Sequence, residues 1–178
     1  ESEMPLQPID LFNTLDNAVR YIRTNFSKRT INIEINSPNE GIYVLANELL
    51  LDVFENIMMN SIIYNRNEKI QIEILITEIM ELGRKYIQLE FKDNGIGIDD
   101  ARKIEILQEN PRKSKNSRGM GLGLSLAAKL IDLYEGRMYI EDRIKGNSAL
   151  GSNFVILIPK KTQPELTFYA FQKHVKID

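Results

Sequence analysis

The chain contains no cysteine and no tryptophan, and has a single histidine among its 178 residues. Without cysteine there is no disulfide, no thiolate nucleophile and no cysteine-based zinc site. The lone histidine, His174, sits in the last five residues. A histidine metal cluster or a Ser-His-Asp triad within this chain is therefore not expected, and His174 reads as an ordinary tail residue. No apolar run approaches the length of a membrane span, and no secretory leader is visible. These absences predict a soluble, cytoplasmic domain with no direct membrane contact. Neither sign of charge dominates: 23 basic against 25 acidic residues leave a formal net charge of -2. The domain as a whole thus carries no electrostatic footprint for nucleic acid. Glycine is sparse at ten, yet five of the ten fall in two short clusters, "DNGIGI" and "GMGLG".

What is present is an ordinary globular composition, 43% hydrophobic and 27% charged, enough for one domain with its own core. No internal repeat or low-complexity segment appears. Leu11, Leu15, Val19 and Ile22 recur at helical spacing within "IDLFNTLDNAVRYIRTNF". "INIEIN" alternates as a strand, and "GIYVLA" reads as a second, short one. "NELLLDVFENIMMNSIIYN" predicts a long helix with Asn47 as N-cap and Glu48 in its first turn. "KIQIEILITEI" and "RKYIQLEFKD" form a strand pair around a turn at Leu82 and Gly83. Asp99–Gln108 predicts a short helix, and Asn110–Arg118 a loop. "LGLSLAAKLIDLYE" is a helix closed by Gly136. "RMYIEDR" and "SNFVILIP" read as a hairpin ended by Pro159. Helices mixed with strands in this order predict an α+β fold. It is a two-layer sandwich, with a mixed but mainly antiparallel sheet of about five strands covered on one face by about three helices. Gln71, Glu73, Gln88 and Glu90 alternate as a wet outer face.

Three features break the rules of an ordinary core. Asp52, Asn56 and Asn60 share one face of an otherwise apolar helix. Buried amides need partners, although a solvated stripe would give the same spacing. Asp93 shares strand parity with Ile87, Leu89 and Phe91, so it points to the apolar face. A carboxylate there needs donors, unless Asp93 merely starts an Asp-Asn-Gly turn. Gly119, Gly121 and Gly123 precede a helix, whose N-terminal N–H groups suit a phosphate. Alone, that cluster is weak: no strand feeds it as a dinucleotide fingerprint requires, and no P-loop exists. The basic run Arg112, Lys113, Lys115 and Arg118 is either a solvated loop or a lid over a ligand.

Taken in order, the three features resemble the ATP-binding catalytic domain of histidine kinases, in the superfamily (GHKL, Bergerat fold) that includes DNA gyrase, Hsp90 and MutL. "ENIMMNSIIYN" is similar to the N box, "DNGIGI" to the first glycine box, "GMGLGLSL" to the second, and "GSNFVILIP" to the last strand. The resemblance covers roughly Ile31 to Lys160. It implies Mg²⁺ and ATP as ligands. By resemblance, Asn56 and Asn60 are the catalytic pair: Asn60 would hold Mg²⁺ through its side-chain oxygen and Asn56 would support metal or phosphates. Asp93 would accept from the adenine amino group, with Gly95, Gly97 and Ile98 shaping the floor beneath the base and Tyr64 lining the pocket. Arg118, Gly119, Gly121, Leu122, Gly123 and Leu124 would surround the triphosphate. Residues 1–30 would then adjoin a dimerisation and phosphoacceptor hairpin outside this chain, a reading to which the initial Glu1 adds. Residues 31–160 would be the ATP-binding domain, with a lid at about 98–118, and 161–178 an unplaced tail.

Two positions depart from the family pattern. Ile63 stands where the N box usually carries a basic residue, which removes one expected phosphate contact; Arg112, Lys113, Lys115 and Arg118 are the candidates to supply that charge. Ile106 and Leu107 occupy the region where the lid usually carries phenylalanines. The resemblance also speaks to the reaction. The gyrase, Hsp90 and MutL branch has a glutamate four residues before the metal-binding asparagine; here that position is Asn56. An amide cannot accept a proton from water, and Glu55 lies ~100° round the helix. Kinase activity toward a histidine on the hairpin, and relay to a response regulator, is the implied function. An anti-sigma-type serine kinase and a degenerate partner-binding module are the alternatives.

Overall fold

The computed structural model describes residues 5–108 and 122–162. Along them run β1 (Gln7–Asp10), α1 (Leu11–Asn25), β2 (Thr30–Asn36), β3 (Tyr43–Ala46), α2 (Leu50–Ile63), β4 (Lys69–Glu81) and β5 (Arg84–Asp93). Then follow α3 (Asp100–Gln108), α4 (Leu122–Leu133), β6 (Arg137–Ile144) and β7 (Asn147–Lys161). The body of the sheet has the order β2-β4-β5-β7-β6. Only β2 and β4 run parallel, joined by the crossover that contains α2; the other pairs of the body are antiparallel. The expected five-stranded, mainly antiparallel sheet is this body. Two further strands, β1 and β3, pair with each other and join the far end of β7 at Tyr43↔Lys161 and Val44↔Lys160. The described residues thus form seven strands and four helices against the expected five and three.

The core lies between the helices and one face of this sheet. Leu11, Leu15, Ala18, Val19 and Ile22 of α1 are buried along its helical stripe, and Asp10 caps the helix by accepting from Asn13 N at 3.0 Å. From α2, Val53, Phe54, Ile57 and Met58 pack against the inward row Ile70, Ile72, Ile74, Ile76 of β4 and Ile87, Leu89, Phe91 of β5. The Phe54 and Phe91 rings lie 5.6 Å apart and tilted by 41°. Such a pair adds about 0.5–1.5 kcal/mol beyond its burial and locks α2 to β5.

Four local expectations are corrected. Asn47 is not the N-cap of α2, which starts at Leu50; its Oδ1 accepts Leu49 N at 3.1 Å and so caps the turn before the helix. The same oxygen accepts the Tyr134 hydroxyl at 2.6 Å, tying the end of α4 to the entry of α2. Burial pushes the Tyr134 phenol up to about 12, so it stays a donor. Gly136 closes α4 without taking the left-handed conformation: Glu135 does so, at φ 59°. Glycine is needed one residue later, where a Cβ would run into the Leu157 carbonyl oxygen. Pro159 does not end β7, because pairing with β6 has stopped at Leu157, two residues earlier, and the strand continues to Lys161. Finally, the outer face is only partly wet. Gln71 is exposed and Glu73, Gln88 and Glu90 half-buried, but Val155 and Leu157 are buried on that face, outside the main core cluster.

Candidate functional site

The end of β5 opens into a cavity of about 230 Å³. Asp93 is the last residue of that strand, paired with Ile72, and it is 4% exposed. Its Oδ1 accepts Gly95 N at 2.8 Å and Ser152 N at 3.3 Å, while Oδ2 accepts the Ser61 hydroxyl at 3.2 Å. Burial pushes the carboxyl above the usual aspartate range; these three donors and the more distant charge of Arg143 pull it back only in part. Asp93 is therefore a turn starter and a recessed acceptor at once, and the inward orientation read from strand parity holds.

Across the cavity, α2 supplies Asn60 and its C-cap is Tyr64. Asn60 donates its Nδ2 to Asn56 O at 2.6 Å, and Asn56 donates its own to Asp52 O at 2.8 Å. Each amide donates an N–H to the helix one turn earlier and keeps its Oδ1 free of that bond. The oxygen of Asn56 does not reach the cavity. It packs on Gly123 in the first turn of α4, where a Cβ would overlap it. This contact brings two of the sequence features, the helix amides and the second glycine cluster, to one place.

The remaining walls come from the turn after β5, from α3, from α4 and from β7. Gly97 has φ +72°, and a Cβ on it would collide with the Ser148 carbonyl of the β6–β7 hairpin tip. Ile98, Ile106, Leu124 and Phe154 make the lining largely apolar, with Ile96, Asp99 and Arg102 beside them. Lys103 fastens α3 by reaching Asp142 of β6 at 2.5 Å and Asp100 at 2.6 Å. Of the residues singled out in the sequence, Asn60, Tyr64, Asp93, Gly97, Ile98 and Leu124 line this cavity together. Asn56, Gly95 and Gly123 support it from behind. Leu122 opens α4. Arg112, Lys113, Lys115, Arg118, Gly119 and Gly121 lie outside the described residues, as do the tail from residue 163 and His174.

Sequence reading missed Ser61, Ser152, Phe154 and Arg102. Ser61 adjoins Asn60 and was one helical step from being found. Ser152 and Phe154 enter through the register Phe91↔Phe154, which no local pattern announces. Ile63 is 59% exposed and does not line the cavity, whereas Arg102 does. Chemically, a recessed acceptor flanked by apolar walls suits a flat ring that carries an amino group. An amide oxygen such as that of Asn60, on the cavity wall, is of the type that suits a hard cation.

The comparisons with known proteins agree with this geometry. Residues 45–162 match the family described as histidine kinase-, DNA gyrase B-, and HSP90-like ATPase. The chain is 26% identical over 156 residues to the adaptive-response sensory kinase SasA of Synechocystis sp. strain PCC 6803, covering 86% of this chain and 39% of SasA. It thus spans well under half of that curated relative. The catalytic domain of histidine kinase ThkA superposes with a TM-score of 0.73 at 23% identity, covering 89% of this chain and all of that one. Full-length ShkA, solved in complex with AMPPNP, gives 0.67 at 20% identity over 90% of this chain and 32% of its own. At these identities the structural likeness establishes the fold. The family match extends over most of the described chain, and the protein belongs to the histidine kinase-, DNA gyrase B- and HSP90-like ATPase family.

Proposed function

We propose that this chain is the ATP-binding catalytic domain of a two-component sensor histidine kinase. On this reading it binds Mg-ATP and donates the γ-phosphate to a histidine on a separate domain, for relay to a response regulator. The observation that carries it is Asp93, a buried carboxylate held by neutral donors at the end of an apolar cavity that Asn60 shares. Asp93 would accept from the adenine amino group. Ile98, Ile106, Leu124 and Phe154 would enclose the ring, with Gly97 letting the backbone approach it. Asn60 would offer its Oδ1 to Mg²⁺ and Asn56 would steady the first turn of α4 behind the phosphates. A magnesium ion can take one protein oxygen and complete its shell with phosphate and water. Bound Mg²⁺ would neutralise charge on the transferring phosphoryl group. Arg118, Gly119, Gly121 and Leu122 are assigned to the phosphate side on the same reading.

Asn56 occupies the place where a hydrolytic branch needs a base, and Glu55 does not line the cavity. Water is thus left without an activating carboxylate on α2, and the γ-phosphate is kept for another acceptor. Among the described residues no helix is long and apolar enough to cross a membrane; a cytoplasmic place of action is part of the proposal. The likeness to a sensory kinase and to histidine kinase catalytic domains favours histidine over serine as acceptor, and the formed cavity favours nucleotide binding over a purely partner-binding role. The test is calorimetric titration of a non-hydrolysable ATP analogue, with and without Mg²⁺, on this chain and on Asp93→Ala. Magnesium-dependent binding that the substitution abolishes is expected; no binding at millimolar nucleotide refutes the proposal.

A further inference from the structure

Behind the Asp93–Gly97 turn lies a set of asparagines that the nucleotide reading does not use. Asn65, 3% exposed, follows directly on the last turn of α2. It donates its Nδ2 to Asn94 Oδ1 at 2.8 Å, and its Oδ1 accepts both the backbone N and the Nδ2 of Asn67 at 3.0 Å. Asn67 Nδ2 also reaches the Asn94 carbonyl, at 2.5 Å. Asn94 is fully engaged on its other side. Its Oδ1 accepts Gln71 N at 2.9 Å, its Nδ2 donates to Lys69 O at 3.1 Å, and its own N donates to Gln71 O at 3.2 Å.

The pattern has a simple meaning. After Ile72↔Asp93 the next antiparallel exchange is made with Gln71, but the side chain of Asn94 accepts where its own carbonyl would have done. The backbone is thereby released to turn, which lets Gly95 N come back onto Asp93 Oδ1. The turn is pinned to α2 a second time where Ile96 N donates to Tyr64 O at 3.1 Å. From the opposite side, Arg29, in the connection between α1 and β2, donates to Asn65 O at 2.9 Å and to Asn67 O at 3.5 Å. Asn65 is thus the joint between the helix that bears Asn60, Ser61 and Tyr64 and the turn that bears Asp93 and Gly97.

Resting on the nucleotide reading above, we propose that Asn65 is a positioning residue for base recognition, and that Arg29 holds it there from the α1 side. The donor at Asn65 Nδ2 sets where Asp93 stands relative to Asn60, and so sets both affinity for ATP and preference for adenine over guanine. Adenine offers an amino donor where guanine carries a carbonyl oxygen, so a displaced carboxylate loses discrimination as well as strength. A residue that mattered only for stability would leave that ratio unchanged.

The experiment titrates non-hydrolysable ATP and GTP analogues, with Mg²⁺, into the whole chain and its variants. Asn65→Asp keeps the acceptor for Asn67 but sets an oxygen against Asn94 Oδ1. It is expected to weaken ATP-analogue binding roughly tenfold, as loss of one buried donor should, and to narrow the ATP-to-GTP preference. Arg29→Ala removes an exposed side chain, keeps the fold, and is expected to cost about threefold in the same direction. Ile76→Val, a core truncation in β4 away from the turn, costs about 1 kcal/mol of stability and should leave both affinities alone. Wild-type affinity and wild-type base preference in the Asn65 and Arg29 variants, while Asp93→Ala loses binding, would overturn the positioning role and leave the nucleotide site intact. Absence of binding in the unsubstituted chain would overturn both.

Discussion

The two ends of the β4–β5 pair treat their inward carboxylates in opposite ways. At one end Glu78 stands beside Lys85 at 2.9 Å and Lys160, and both lysines hold its carboxyl below the usual range. At the other end Asp93 meets only neutral donors, two backbone N–H groups and a serine hydroxyl, and burial holds it above the usual range. The turns differ likewise. Leu82 and Gly83, at φ 46° and 77°, make a two-residue hairpin turn in open space. Gly97 has a similar φ but sits against the β6–β7 hairpin tip. The Glu78 end is a solvated structural solution, with its charges paired where water already screens them. The Asp93 end keeps a carboxyl buried with no cation paired to it at hydrogen-bond distance, which costs stability and leaves an acceptor for a ligand.

The largest expected effect tests the turns. Gly97→Ala must place a Cβ both at positive φ and into the Ser148 carbonyl, so we expect a loss of more than about 2 kcal/mol together with nucleotide binding. Gly83→Ala has the same backbone problem but no neighbour, and should cost only about 1 kcal/mol. Urea midpoints of the two variants measure this directly. Equal losses would mean that the hairpin tip yields freely and does not brace the turn.

Asp93→Asn addresses the carboxylates. A charged hydrogen bond to a ligand contributes about 1.5–3 kcal/mol, so affinity for an ATP analogue should fall roughly 10- to 150-fold. Stability of the free domain should be unchanged or higher, because the buried charge is gone while an amide oxygen still accepts from Gly95 and Ser152. A variant that both binds poorly and unfolds early would make Asp93 a structural residue.

These two ends were unequally legible in the sequence. The Leu82–Gly83 turn, the strand parity of Asp93 and the shared face of Asn56 and Asn60 are local patterns with fixed periods, and each was read correctly. Seven-strand topology was not, because β1 has four residues and borrows its order from β3. Asn47 misled for a related reason: it has the chemistry of a cap, but the chain makes a further turn before the helix starts. Ser152 and Phe154 reach the cavity through long-range register, and Asn65 reaches Asn94 across 29 positions of sequence. Side chains that pair across such separations leave no periodic trace. The roles given to Arg118, Gly119 and Gly121 fall outside the described residues.

The pH response should separate the same two groups more gently. The folded Asp93 carboxyl titrates above its ordinary value of 3.8, so between the two values the folded state binds more protons than the unfolded one. That contribution makes stability fall as pH rises through the window. Asp93→Asn should remove it, giving a urea midpoint that gains on the unsubstituted chain as pH climbs from about 3.8. No pH-dependent gap between the two chains would show that Asp93 is not desolvated as the burial implies.

The smallest effect belongs to Glu78, and its sign is the reverse. Its folded carboxyl is held below 4.5, so its contribution is present above that value and disappears as pH falls through the lower, folded one. The carboxylate and both lysines are solvent-accessible, with Lys85 55% exposed, and salt should screen the attraction. Glu78→Gln is therefore expected to lower the thermal midpoint slightly at low ionic strength and hardly at all in molar salt, with ATP-analogue affinity unchanged throughout. A change in affinity would couple the far end of the sheet to the cavity through β4 and β5, and the separation between a structural end and a binding end would then fail.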